Sequence, residues 1–397
     1  MKKIFFSLTL AAVLMQAQEI SLHQIINYMR VHHPHYKALE EESIALEAKV
    51  NAEYARELSS FSVDAAQSDP DEGDSGMEYS GSLTIPLDLM GTRNLSLQSG
   101  MLQTEAELLK KQVALFAFGN RVRNLYHQSC LDKANVVLHE KSLASFEKLY
   151  RKKKIAYKYS EISKKELLQI EMERNLLVQQ LNALKERYQT SKSALLNLTD
   201  MPDNTQQTLE CKDLFPIKAN IQIDNKPFLL SNLAYKKEQE ALKKKYDRYT
   251  KFSDPMALSL NYDDELDTKR YGVGIEVPLG FTSQRNEQKR LYLSTQQGVL
   301  KYHHNAWLLE ANAKRERTVA DLKSNYHQIK ALEENIQKYE KELMPLIEKS
   351  FQMGESSLIE YLLGHQKLLK MSVDLIHSKQ NYYQNLFTLY TLIETEK

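Results

Sequence analysis

Between Met77 and Leu87 the chain alternates strictly. Met77, Tyr79, Gly81, Leu83, Ile85 and Leu87 fall on odd positions, and Glu78, Ser80, Ser82, Thr84 and Pro86 on even ones. Period two is the mark of an extended strand with one greasy and one wet face. The pattern returns in Tyr271, Val273, Ile275, Val277 and Leu279, set against Gly272, Gly274, Glu276 and Pro278. Phe61, Val63 and Ala65 alternate likewise, as do Met256, Leu258, Leu260 and Tyr262. Two β-hairpins are expected, over 58–87 and 255–280, with acidic turns at 68–76 and 263–270. A run of roughly ten residues suits a tilted strand crossing a bilayer. A half-buried hairpin of a soluble domain would read the same by pattern alone.

The rest of the chain changes period. Leu167, Ile170, Arg174, Leu177, Leu181, Leu184, Tyr188, Ser191, Leu195 and Leu198 step by three and four, a coiled-coil seam with polar interruptions. Tyr361, Leu368, Leu375, Tyr382 and Leu389 recur every seven, and Leu362, Leu369, Ile376, Tyr383 and Tyr390 repeat this one position along. Long helical hairpins are expected over 92–200 and 284–394, broken at 151–159 and 353–357, with shorter helices over 20–57 and 227–251. As one helix, residues 92–150 would be on the order of 90 Å long.

The two halves match each other. Tyr79 precedes Pro86-Leu87 as Tyr271 precedes Pro278-Leu279, and Arg93-Asn94 and Arg285-Asn286 follow each proline by seven, a shift of 192. Pro34 and Ala48 match Pro227 and Ala241 at a shift of 193. Ser163, Glu166 and Leu168 match Ser357, Glu360 and Leu362 at 194. The chain reads as a tandem repeat, 18–200 and 227–397, joined by a linker at 201–226 that holds Pro202 and Pro216.

Residues 1–17 carry Lys2-Lys3, an apolar run from Ile4 to Met15 and Ala17, the plan of a secretory signal peptide. No later run is long and apolar enough for a membrane helix. Four strands per chain cannot close a barrel, and an open edge cannot sit in lipid. Three copies would supply twelve strands. With 53 basic against 52 acidic residues, nothing points to nucleic acid. Cys130 and Cys211 are the only cysteines and could pair, although no structural disulfide is expected. His32-His33-Pro34-His35 and His303-His304 match no standard metal spacing and read as surface histidines. The basic run Arg151–Lys154 reads as a solvated tip, or at most a contact with a partner. No phosphate loop, nucleophile triad or paired carboxylate appears, so no enzyme, cofactor or metal is expected.

The doubled layout, the Pro-Leu strand ends followed by Arg-Asn, and the segment from Met353-Gly354 to Glu360-Tyr361-Leu362 together resemble the TolC-like outer-membrane efflux protein family. The likeness covers essentially the whole chain past the signal segment. It implies a mostly α fold with a β-barrel part: long coiled-coil helices forming an α-barrel, and a homotrimer with a twelve-stranded barrel in outer-membrane lipid. It implies a passive exit duct projecting into the periplasm, docked to a periplasmic adaptor and an inner-membrane pump. Adaptor-docking candidates are Gly354, Met353, Ser357, Ser160 and Tyr159. Glu360 and its counterpart Glu166 are candidates for a periplasmic gate. The lipid-facing set is Tyr79, Leu83, Ile85, Leu258, Leu260, Tyr271, Val273, Ile275 and Val277. The competing readings are a periplasmic structural or adaptor coiled coil and an exported enzyme with a helical domain.

Overall fold

The computed structural model describes residues 19–395, except 56–57, 70–74, 203–206, 213, 222–226, 252–255 and 278–283. The expected signal segment 1–17, the centre of the first acidic turn and Pro278-Leu279 lie outside the described residues. The elements run β1 (Glu19–Ile20), α1 (Leu22–His32), α2 (Pro34–Glu53), β2 (Ser60–Ser68), β3 (Gly76–Leu87), α3 (Thr92–Lys158), α4 (Lys164–Leu198) and β4 (Thr208–Leu209). The second half follows with α5 (Leu229–Arg248), β5 (Met256–Asp264), β6 (Lys269–Glu276), α6 (Gln284–Lys338), a π turn (Tyr339–Leu343), α7 (Met344–Gln352) and α8 (Leu358–Leu392). No described helix is long and apolar enough to cross a membrane.

The single helix expected over 20–57 is two. Ser21 caps α1 in a reciprocal box with Gln24, and His33 leaves the helical region (ψ 132°) because Pro34 follows it. Pro34 then opens α2, where its missing N–H costs nothing.

The described residues form two compact units, each drawn from both halves. The first comprises 38–114 and 228–313. Its sheet is antiparallel in the order β2-β3-β5-β6. Its helices approach closely through small residues. Ser99 donates its hydroxyl to the Ala241 carbonyl at 2.8 Å, Ala106 and Ala241 are fully buried, and a Cβ on Gly100 would stand 2.9 Å from both Val50 and Tyr54. Ion pairs Lys110–Glu238, Lys111–Glu42 and Lys237–Glu105 line the outside of these contacts.

The second unit comprises residues up to 37, 115–227 and 314 onwards. Here the linker is a strap fastened to the helices. Cys130 on α3 forms a disulfide with Cys211, against expectation: 81 residues apart in sequence, their Cα atoms lie 5.5 Å apart, within reach of a bridge. β4 pairs in parallel with β1. Tyr126 donates to the Glu210 carbonyl, Lys133 to that of Leu209 and Tyr383 to that of Phe215 at 2.6 Å, while the Tyr382 hydroxyl bonds both Lys218 backbone groups. His127 is fully buried. Its Nδ1–H donates to the Arg123 carbonyl (2.8 Å) and its Nε2 accepts the Phe215 N–H (3.0 Å). Burial pushes its pKa down to about 4, so the ring is neutral. Two apolar clusters flank the strap, one around Ile25, Tyr126 and Leu195 and one around Leu322, Tyr382 and Phe387.

Candidate functional site

The two turns between long helices share one construction. The first was expected at 151–159, but α3 runs on to Lys158 and the turn falls at 159–163. Lys and Arg are good helix formers, and the run holds no Gly or Pro. Ser160 takes a left-handed φ of 60°, and the Glu161 N–H closes back on the Ala156 carbonyl at 3.0 Å. In the second turn Gly354 has φ 76°, and the Glu355 N–H reaches the Ser350 carbonyl at 2.9 Å. Both are helix ends closed by a left-handed residue.

Each next helix opens with a capping box. The Ser163 hydroxyl accepts from the Glu166 N–H (3.2 Å), and the Glu166 carboxylate accepts from the Ser163 N–H (3.1 Å). Ser357 and Glu360 do the same at 3.2 and 2.9 Å. The two gate candidates therefore hold helix ends; Glu360 is also exposed and Glu166 half-exposed. Tyr159 and Met353, 75% and 61% exposed, top the turns.

Below them an apolar cluster joins Phe146 and Leu149 of α3, Ile170 and Leu177 of α4, and Leu358 and Leu362 of α8. Arg174, one of the polar residues in the heptad seam, pairs with Glu147 and lies over Tyr150. His365, which the sequence reading did not single out, packs on Tyr361 (4.6 Å between centroids) with Glu348 3.9 Å away, and burial lowers its pKa. Neighbouring Gly364 admits Ile347, whose Cδ1 would stand 3.0 Å from an added Cβ.

The sheet of the other unit carries the strand candidates. Its register places Phe61, Leu83, Leu260 and Val273 in one row, with Ile85, Leu258 and Ile275 in the row two residues along. Tyr271, opposite Tyr262, and Tyr79, opposite Ala65, share that face, since directly paired residues point the same way. Phe61, Tyr271, Val273 and Ile275 are 70–80% exposed. Ser62, Ser82, Asn261 and Gly272 form a row of the opposite face, where the Ser62 and Ser82 hydroxyls bond at 2.9 Å. Val277 lies one residue beyond β6. Among the described residues no group of His, Cys, Asp and Glu could hold a metal ion.

No protein-family model matches the sequence, and no curated protein matches it. Solved structures do match the fold. The outer membrane protein VceC of Vibrio cholerae aligns with a TM-score of 0.75 at 15% identity, over 94% of this chain and 95% of that one. The CmeC outer membrane channel of Campylobacter jejuni gives 0.73 at 16%, over 94% and 85%. CusC, solved in work on folding and transmembrane channel formation, gives 0.77 at 15%, over 94% and 91%. The fold of this chain, long helices with a small antiparallel sheet, is that of the TolC-like outer-membrane channels.

Proposed function

We propose that this chain is the outer-membrane duct of a tripartite export system, a homotrimer working with a periplasmic adaptor and an inner-membrane pump. The observation that carries the reading is the sheet: four strands, one face apolar and exposed, with β2 and β6 each paired on one side only among the described residues. Such a face is stable in water only if something covers it. Lipid would cover it, and lipid forbids open edges. Three copies pairing β6 to a neighbour's β2 would close twelve strands. Tyr79, Leu83, Ile85, Leu258, Leu260, Tyr271, Val273, Ile275 and Val277 then face lipid, while the row containing Ser82 and Asn261 faces a water-filled lumen. The duct is passive, and the chain is two copies of one unit that a signal peptide sends across the inner membrane.

At the helix turns, three Glu360 side chains would ring the periplasmic mouth. Like charges at a constriction repel, so opening relieves them and cations are drawn in. Glu166 would stand in the flanking position.

Single-channel recording in a planar bilayer, with the detergent-solubilised mass, tests the duct. Discrete steps from a trimer-sized particle are expected. A water-soluble monomer without conductance would remove the channel. Unchanged conductance and cation preference in Glu360→Gln would remove the gate alone.

A further inference from the structure

A cavity of about 590 Å³ lies where the sheet gives way to the helices of its own unit. Ile85 and Leu87 of β3, Tyr54 just past α2, Arg93 and Leu97 of α3, and Arg248 at the end of α5 line it. Its size falls in the range of roughly 300–1,000 Å³ usual for small-molecule sites.

The lining is divided in character. Ile85 and Leu87 bring the apolar face of the sheet into the cavity. Leu89, also in the wall, and neighbouring Met90 are 69% and 45% exposed. The polar part is cationic. Arg93 and Arg248 are half-buried, and among the described residues neither guanidinium has an ion pair or a hydrogen bond. Arg248 lies over the Tyr249 ring (5.6 Å to its centroid), with its Nε enclosed and facing no acceptor among those residues. A buried charged donor left so is costly, and folding does not account for it.

Two carboxylates share the cavity. Asp88 is already engaged: it accepts the Thr92 N–H (2.8 Å), the Thr92 hydroxyl (3.1 Å) and the Arg93 N–H (3.1 Å), and so holds the start of α3. Glu53 is exposed. Two arginines against this one remaining carboxylate leave the site with a single net positive charge beside an apolar wall.

We propose that this cavity binds a glycerophospholipid, its phosphodiester held by Arg93 and Arg248 and its acyl chains lying along Ile85 and Leu87. The proposal rests on the duct reading, in which Ile85 faces lipid and the change from strand to helix falls at the level of the headgroups. The arginine fork matches phosphate oxygens, and a phosphodiester carries the one negative charge that the site lacks. Inorganic phosphate shares that chemistry but would leave Leu87 and Leu89 uncovered. Diacylglycerol would cover them and leave the arginines unpaired.

The test is native mass spectrometry of the detergent-solubilised full chain, titrated separately with phosphatidylglycerol, with diacylglycerol of the same chains and with inorganic phosphate. Saturable binding of phosphatidylglycerol, one copy per chain, is expected, with the other two probes much weaker. Arg93→Gln and Arg248→Gln should each weaken it about tenfold, and the lipid should raise the melting temperature of the unmodified chain more than that of either variant. Two single variants, each checked by its lipid-free melt, keep the test open if one fails to fold. Diacylglycerol binding as tightly would reduce the site to an apolar surface, and phosphate binding as tightly would make it a free-anion site. Either result, or affinity unchanged in both variants, would overturn the proposal. Absence of bilayer conductance with the arginine-dependent lipid retained would instead count against the duct alone.

Discussion

Ser160 and Gly354 hold the same left-handed backbone, φ 60° and 76°, at matching points of two helix turns 194 residues apart. Only one of them is a glycine. Left-handed backbone costs a residue with a Cβ about 1 kcal/mol or more. Ser160→Gly should therefore stabilise the first turn by up to about 1 kcal/mol. Gly354→Ala should cost a similar amount, because an added Cβ would meet open space and only the backbone is strained. Thermal melts of the two variants in one detergent check both signs.

The capping box separates two roles of Glu360. Glu360→Gln keeps an oxygen for the Ser357 N–H and removes the charge, so stability should hold. Glu360→Ala should cost about 1 kcal/mol of helix stability. Melting temperatures of the pair, read beside their conductance, distinguish an end cap from a gate. A Gln variant as unstable as the Ala variant would contradict the box.

His127 makes stability depend on pH. Its pKa is near 6.5 when unfolded and about 4 when folded, so the unfolded chain binds the proton more readily between those values. Stability should be complete above pH about 6.5, fall as pH drops towards 4, and flatten below. The loss is on the order of 3 kcal/mol. His127→Leu leaves the Phe215 N–H unpaired and lowers the whole curve, but it should flatten the slope. Half-buried His365, lowered in the same direction, keeps part of that slope in place. Denaturation at a series of pH values gives the comparison.

Reduction should loosen the strap. The Cys130–Cys211 bridge spans 81 residues, and closing a loop of that size stabilises by about 4 kcal/mol. With Cys130→Ser, limited proteolysis should cut earlier between Met201 and Ile221. An unchanged cleavage rate would mean that the tyrosine and β1–β4 contacts hold the strap alone.

The two sheet faces should tolerate charge unequally. Val273→Lys should cost about 2–4 kcal/mol in a bilayer, and Ser259→Lys on the polar face much less. The yield of heat-modifiable oligomer in outer-membrane fractions reads this directly. Equal yields would place neither face in lipid.

The strands and the second turn were legible because their signals are local. Period two assigned Leu83, Leu260 and Val273 to one face before any pairing was known, whereas the two Ser-x-x-Glu segments were read as a repeat and as gate candidates and their capping role was missed. The end of α3 was misread because a cluster of lysines looks like a loop, although Lys propagates a helix. The strap was read as a plain linker because Tyr383, Tyr382 and His127 bond its backbone across 88–168 residues, a distance no local pattern encodes. The disulfide was missed for the same reason.

The π turn at Tyr339–Leu343 bears on the difference in helix length between the two halves. From strand to turn the first half runs a 67-residue helix, while α6, the π turn and α7 together run 69. Each surplus residue in an α-helix swings everything beyond it by about 100°. A turn bonded i→i+5 takes in an additional residue without that rotation, and it ends just ahead of Pro345, whose ring an α-helical carbonyl four residues back would crowd. The Tyr339 hydroxyl bonds the Gly364 carbonyl at 3.1 Å and ties the widened stretch to α8. The π turn thus takes up one of the two surplus residues, and beyond it Met344 stays buried and Phe351 stacks on Tyr361 of α8 at 4.5 Å between centroids.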